Sequence, residues 1–296
     1  MKCRMIVSAA LLALASLSAA ADEVGEVFFQ VRPSLVQLVG AGADSRYALG
    51  SGVALPDGSI VTNCHVTYRA KRVEPFFGST GAKAESQRVD VTHDLCMLRI
   101  PGLNLRPVEV ASSRSLHVGD KVYAVGFNGG RSLSYDSGEV AELYEYDGGM
   151  VIRTTAAFSQ GASGGGLFDQ QGRLVGILTF FRVAGETAYF AVPVEWLDRV
   201  KEVASAEIQP LSGVPFWADR LDRQPAFLQA GALEAGGKWQ ELAALARVWI
   251  NTSPQDGQAW VMLGKAALNT GDSATANDAF RRAAEHGVNY EPAQIH

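Results

Sequence analysis

The sequence predicts a mostly β domain followed by a small α-helical one. Two textures predict that division. From Val31 to about Val192, short apolar runs alternate with glycine-containing turns, the pattern of a β-sandwich or barrel. Beyond residue 218, alanine becomes frequent, three of the five tryptophans gather (Trp239, Trp249 and Trp260), and Gly237 and Gly271 mark a 34-residue repetition. The composition is that of a folded chain: of 296 residues, 47% are hydrophobic and 19% charged, which excludes a disordered polymer. A net charge of −5 offers no electrostatic footprint for nucleic acid. Three cysteines, Cys3, Cys64 and Cys96, are too few for a disulfide scaffold or a four-cysteine zinc site.

At the start of the chain, Lys2 and Arg4 precede an uncharged run from Met5 to Ala21, and Ala19-Ala20-Ala21 stand ahead of Asp22. A charged start, an apolar stretch and a small-residue site are the parts of a secretory signal peptide. Residues 1–21 are therefore expected to be removed, leaving Cys64 and Cys96 in an oxidising compartment. The apolar run is short against the roughly 20 residues that span a bilayer, and no other stretch is apolar enough to do so.

Residues 22–206 follow as the β domain. Its strands include Leu35–Val39, Val53–Leu55, Val122–Val125 and Leu174–Leu178. Pro56-Asp57-Gly58 is a turn with a mechanism: Pro presets φ, Asp bonds its own backbone and Gly tolerates positive φ. A closing helix is expected from Val194 to about Ala206, with Trp196, Val200 and Val203 on one face. Residues 207–218, with Pro210, Gly213 and Pro215, read as a linker. Residues 219–296 hold the repetition. Its second copy runs Trp260, Leu263, Gly264, Ala267, Gly271-Asp272, Ala276, Phe280 and Ala283. The first is in phase with it: Leu233, Gly237-Lys238-Trp239, Leu242, Ala246, Trp249 and Pro254. Small residues fall where paired helices approach closely, and large apolar ones where the next helix packs.

The chemistry concentrates in three segments. Gly161-Ala162-Ser163-Gly164-Gly165-Gly166-Leu167 puts a serine between glycines ahead of an apolar strand. Glycines let the backbone turn tightly and a substrate carbonyl approach, and the amides of Gly161 and Ser163 can then point at one oxyanion. A serine hydroxyl needs a base, and the base needs a carboxylate to hold it. His65 and Asp94 offer both, and the order His65, Asp94, Ser163 is one of the known orders of such triads. His93 is nearer to Asp94 in sequence, but strand alternation turns it to the opposite face. No His-Glu-x-x-His zinc motif, phosphate loop or dinucleotide fingerprint occurs.

These segments resemble HtrA-type (DegP-like) trypsin-fold serine proteases of the chymotrypsin clan. GSGVALPDGSIVTNCHV is similar to that family's glycine strand, hairpin and histidine motif, and HDLCMLRI to its aspartate strand. VGDKVYAVGF, IRTTAAFSQGASGGGLFDQQGRLVGI and YFAVP continue the likeness in order, so that it runs from about Ser34 to Ala206. The resemblance implies a chymotrypsin-like double β-barrel, with His65 as general base, Asp94 as its orienter, Ser163 as nucleophile and the Gly161 and Ser163 amides as oxyanion hole. It also implies a specificity pocket with Ala157 at the floor and Leu178, Thr179, Phe180 and Ala191 around it. With no acidic residue at that floor, a small or medium aliphatic substrate residue is expected. The mechanism so implied needs neither metal nor other cofactor.

Several positions depart from the family pattern. Ala162 stands where an Asn or Asp is usual, Thr155 where Asp is frequent, and Gln160 and Gly166 replace prolines. Cys64 precedes the implied base and Cys96 follows the implied orienter by two. They are either a disulfide that clamps base to orienter or two buried thiols acting as small hydrophobes. After the barrel, where such proteases carry a PDZ domain, this chain has helices similar to tetratricopeptide repeats. The whole then implies a secreted, periplasmic endopeptidase acting on polypeptides, with repeats that recruit a protein partner. The competing reading is a weakly active or inactive barrel whose repeats serve as a binding adaptor.

Overall fold

In a computed structural model of the chain, the described residues are 25–43, 46–184 and 186–290; the expected signal segment 1–21 lies outside them. The chain divides into two compact units. The first comprises the residues up to Leu143, Gly148–Phe181 and Tyr189–Gly213. The second comprises Tyr144–Asp147, Arg182–Ala188 and the chain from Val214 onward.

The first unit is built on two antiparallel sheets. Strands β1 (Leu35–Ala41), β2 (Tyr47–Ala54), β3 (Ile60–Thr62), β4 (Arg72–Phe77), β5 (Thr80–Gly81), β6 (Ser86–Asp90) and β7 (Leu95–Arg99) form one sheet, which β14 (Ala206–Glu207) joins at the β6 edge. Their order is β14-β6-β7-β3-β2-β1-β4-β5. A short helix α1 (Cys64–Thr67) follows β3. The second sheet closes into a barrel in the order β10-β13-β12-β11-β8-β9. Its strands are β8 (Lys121–Asn128), β9 (Ser132–Tyr146), β10 (Gly149–Thr154), β11 (Gly166–Phe168), β12 (Leu174–Ala184) and β13 (Glu186–Pro193). The fold is thus mostly β and double-barrel-like, followed by a helical region.

Each sheet encloses its own apolar core. Val36, Leu38, Ile60, Val73 and Leu98 pack inside the first, and Val122, Val140, Ile152, Leu167 and Val175 inside the second. Between β2 and β3, the Asp57 carboxylate accepts the Ser59 amide at 3.0 Å and its hydroxyl at 2.6 Å, which closes the Pro56-Asp57-Gly58 turn.

The closing helix is shorter than expected: α2 spans Trp196–Glu202. Trp196, Leu197 and Val200 are buried, whereas Val203 is extended and partly exposed. The Arg88 guanidinium donates to the carbonyls of Lys201 and Val203 and so satisfies the helix end, after which Ala206 and Glu207 pair with Gln87 and Ser86 of β6. The expected linker 207–218 is held to the first sheet as far as Gly213. Gln87 donates to the carbonyls of Glu207 and Gln209, the Leu211 amide to Tyr68 O at 2.8 Å, and the Tyr68 hydroxyl to Gly213 O at 2.8 Å.

The second unit contains helices α3 (Ala226–Ala235), α4 (Trp239–Thr252), α5 (Gly257–Asn269) and α6 (Ser273–Glu285), each packed on the next. The tips of two β-hairpins belong to it. There Tyr144 stacks on Phe227 at 4.5 Å between centroids, and Arg182 donates to Trp217 O at 2.7 Å and to Gln224 Oε1 at 2.8 Å. The 34-residue repetition is visible in hydrogen bonds. The Lys238 amide reaches Leu233 O across Gly237, and the Asp272 amide reaches Ala267 O across Gly271. Both glycines have positive φ, +65° and +81°, so each closes a left-handed helix cap that disfavours any side chain. Among the described residues, no helix is long and apolar enough to cross a membrane.

Gly264 of α5 faces the Phe280 ring of α6 so closely that a Cβ would lie 2.4 Å from it. Gly264→Val is expected to destabilise the helical unit by about 1–3 kcal/mol, and Gly264→Ala by less. Denaturant unfolding followed by helical circular dichroism checks the order.

Candidate active site

His65 lies on α1, three residues past the end of β3, which pairs with β7 through Thr62 and Cys96. Asp94 closes the turn 91–94 that leads into β7. Its φ is +60°, a left-handed conformation that Asp adopts more readily than most residues. The two meet twice. Asp94 Oδ1 accepts the His65 backbone amide at 2.8 Å, and Oδ2 lies 2.6 Å from His65 Nδ1. The Asp94 carbonyl accepts from Cys64 N at 3.2 Å and from Asn63 Nδ2 at 3.0 Å. Asp94 is fully buried and the His65 side chain is 31% exposed. Cys64 and Cys96 are joined by a disulfide with Cα atoms 5.0 Å apart.

The strand-alternation argument for His93 does not apply, because His93 and Asp94 sit in a turn rather than in a strand. His93 has its own carboxylate: its Nδ1 lies 2.6 Å from Asp90 Oδ2, and its ring packs on Trp196 at 4.3 Å. Burial pushes the Asp90 carboxyl up, but hydrogen bonds from the His93 ring and amide and the charges of His93 and Arg199 outweigh it. They hold the group below the usual carboxylate range.

Ser163 lies in the loop between β10 and β11. Its carbonyl accepts the Ser51 amide at 2.8 Å, and the Ser51 hydroxyl donates to Gly161 O at 2.8 Å while accepting from Phe127 N at 2.8 Å. Gly164 has φ +84°, and a Cβ there would lie 2.2 Å from Ser51 O, so only glycine fits. Asn63 joins this loop to the histidine and aspartate. Its Nδ2 donates both to Asp94 O and to Thr179 Oγ1 at 3.0 Å, and Thr179 O in turn lies 3.5 Å from Ser163 Oγ, at the long limit of a hydrogen bond. Among the described residues, neither the Gly161 nor the Ser163 amide donates a hydrogen bond.

The expected pocket residues separate. Leu178 and Ala191 are fully buried in the second-barrel core, and Phe180 is buried and stacked on Phe190 at 4.7 Å. Thr179 is beside Ser163, while Ala157 is half-buried with its amide donating to Asp136 Oδ2 at 2.7 Å. Asp136 is a carboxylate at Ala157 that the sequence reading did not anticipate, because it comes from β9. Ala162 also belongs to the apolar core, and Thr155 Oγ1 accepts the Glu139 amide at 2.8 Å. Ser51 and Asn63 belong to the glycine-strand and histidine segments, yet nothing in their residue type signals the contacts they make.

Residues 50–177 match the trypsin-like peptidase domain family. Over this stretch the chain is similar to trypsin-type, HtrA-like serine peptidases. It is 35% identical over 169 residues to a probable periplasmic serine endoprotease, DegP-like, of Buchnera aphidicola, which covers 52% of this chain and 36% of that protein. It is 35% identical over 163 residues to the serine endoprotease DegS of Haemophilus influenzae, covering 50% of this chain and 47% of that one. The chain thus spans a third to a half of the length of these relatives. Among solved structures, the chain is similar to the HtrA-type protease AlgW with a tripeptide, with TM-score 0.56 and 25% identity over 60% of this chain and 62% of that one. It shares its fold with the active form of the Rv3671c protease of M. tuberculosis, with TM-score 0.57 and 21% identity over 64% and 88% of the two chains.

The Cys64–Cys96 bond closes a loop of sequence separation 32. The double variant Cys64→Ala, Cys96→Ala is expected to lose about 2–4 kcal/mol of stability in the first unit. Guanidinium unfolding of the variant beside the oxidised wild type measures the loss.

Proposed function

We propose that the protein is a secreted serine endopeptidase of the bacterial periplasm that cleaves unfolded or partner-delivered polypeptides through an acyl-enzyme. The observation that carries this reading is the double hold of Asp94 on His65, at 2.8 Å on the backbone amide and 2.6 Å on Nδ1. A carboxylate only accepts hydrogen bonds, so this pairing leaves the proton on Nδ1 and the lone pair on Nε2. His65 is then the general base, Asp94 its orienter and Ser163 the nucleophile.

Ser163 Oγ attacks the substrate carbonyl as its proton passes to His65 Nε2. The tetrahedral oxygen takes the amides of Gly161 and Ser163, whose lack of other acceptors among the described residues supports that role. The imidazolium then gives its proton to the leaving amine, and water releases the acyl group by the same steps. No step calls for a cofactor. The pocket next to Ser163, around Ala157 and Thr179, takes a small or medium aliphatic side chain, with Leu178, Phe180 and Ala191 contributing through their backbone. The names of the DegP relatives support both the chemistry and the compartment.

The second unit is assigned as two tetratricopeptide-like repeats that recruit a protein partner or substrate. The matching caps at Gly237 and Gly271 support that assignment.

Labelling with a fluorophosphonate probe and hydrolysis of casein test the peptidase. Wild type is expected to label and to cleave, and Ser163→Ala to do neither. Asp94→Asn is expected to lower kcat by about 10⁴-fold. Equal hydrolysis by wild type and Ser163→Ala would overturn the triad. A wild type that takes no probe yet captures a partner through residues 219–296 would make the protein a binding adaptor instead.

A further inference from the structure

We infer that three aromatic rings, Phe158, Phe181 and Tyr189, close the specificity pocket against large side chains, so that the residue before the scissile bond is glycine, alanine or serine. This inference rests on the peptidase reading above and narrows its substrate class.

Two segments flank the Ser163 hydroxyl. One is the serine loop itself, and the other is β12, whose Thr179 carbonyl lies 3.5 Å from Ser163 Oγ. A substrate carbonyl seated at Ser163 sends its preceding side chain into the gap between them. Each segment carries an aromatic ring; Phe158 belongs to the apolar core of the second sheet and Tyr189 packs on that core. Phe158 stands five residues before Ser163 and next to Ala157, and Phe181 stands two residues after Thr179. The two rings meet edge to face with centroids 6.4 Å apart. Tyr189 of β13 completes the group, 5.3 Å from Phe158 and 6.1 Å from Phe181.

These separations are those of aromatic rings in direct contact. No slot the width of a leucine or phenylalanine side chain remains between them. The group also runs from core to surface: Phe158 is 7% exposed, Tyr189 is half-buried, and Phe181 is 38% exposed. Phe181 is therefore the ring an incoming side chain meets first, and Phe158 the one that stops it. A methyl or hydroxymethyl group fits against this wall; a longer chain has to displace a ring. The three rings are apolar, and the Asp136 carboxylate at Ala157 accepts the Ala157 amide at 2.7 Å.

The test uses the full chain and internally quenched peptides that vary only at the residue before the scissile bond. Fluorophosphonate labelling confirms a working serine in each variant. Wild type is expected to cleave after Gly, Ala and Ser, and far more slowly after Leu, Phe or Lys. Phe181→Ala is expected to raise kcat/KM for the Leu peptide relative to the Ala peptide by about tenfold or more. Tyr189→Ala should move the same ratio in the same direction, which keeps the test open if one variant fails to fold. Wild-type cleavage after Leu, Phe or Lys as fast as after Ala overturns the inference. So does an unchanged profile in variants that still label. A wild type that neither labels nor cleaves any peptide overturns the peptidase reading itself, and this inference with it.

Discussion

A carboxylate removed from water is costly unless its oxygens are filled, and Asp94 is the group on which this structure turns. It is fully buried, and both its oxygens are engaged by one residue, His65, through amide and ring. Its carbonyl is engaged as well, by Cys64 N and Asn63 Nδ2. These bonds come from a single stretch, Asn63 to His65, so satisfying Asp94 also fixes where α1 begins and how the imidazole is turned. The left-handed turn at Asp94 is the backbone cost of that arrangement, and the Cys64–Cys96 bond ties the same two segments covalently. Orientation of the base thus follows from burial of the acid.

The serine loop is positioned by a different device, the backbone of β2. Ser51 gives its amide to Ser163 O and its hydroxyl to Gly161 O, and takes the Phe127 amide in return. Side chains are nearly excluded from this meeting of backbones, which is why Gly164 has room for no Cβ. Asn63 links the two arrangements by donating to Asp94 and to Thr179, the residue whose carbonyl reaches the Ser163 hydroxyl. One asparagine thereby joins elements from the two sheets.

Much of this is legible in the sequence. The Pro56-Asp57-Gly58 turn, the glycine-flanked Ser163 and the phase of Gly237 with Gly271 each express a local rule of backbone chemistry, and local rules can be read from neighbours in sequence. Other features were not. The closing helix ends at Glu202, where Arg88 from a distant strand donates to the carbonyls of Lys201 and Val203. Residues 207–213 lie along the first sheet because Gln87 and Tyr68 bind their backbone. The side chains of Leu178 and Ala191 lie in the core of the second sheet, which their place in the chain does not reveal. Asp136 reaches Ala157 only because β9 runs beside the serine loop.

The sequence by itself determined the residue types at the centre, the order His65, Asp94, Ser163, and the split between a β domain and a helical region, because each rests on spacing within short segments. Tertiary structure alone decided which side chains face the serine and which face the core, which carboxylate each histidine takes, and that Phe158, Phe181 and Tyr189 come together. Those outcomes depend on strand register and on contacts between residues far apart in the chain, and such contacts leave no periodic trace in the order of amino acids.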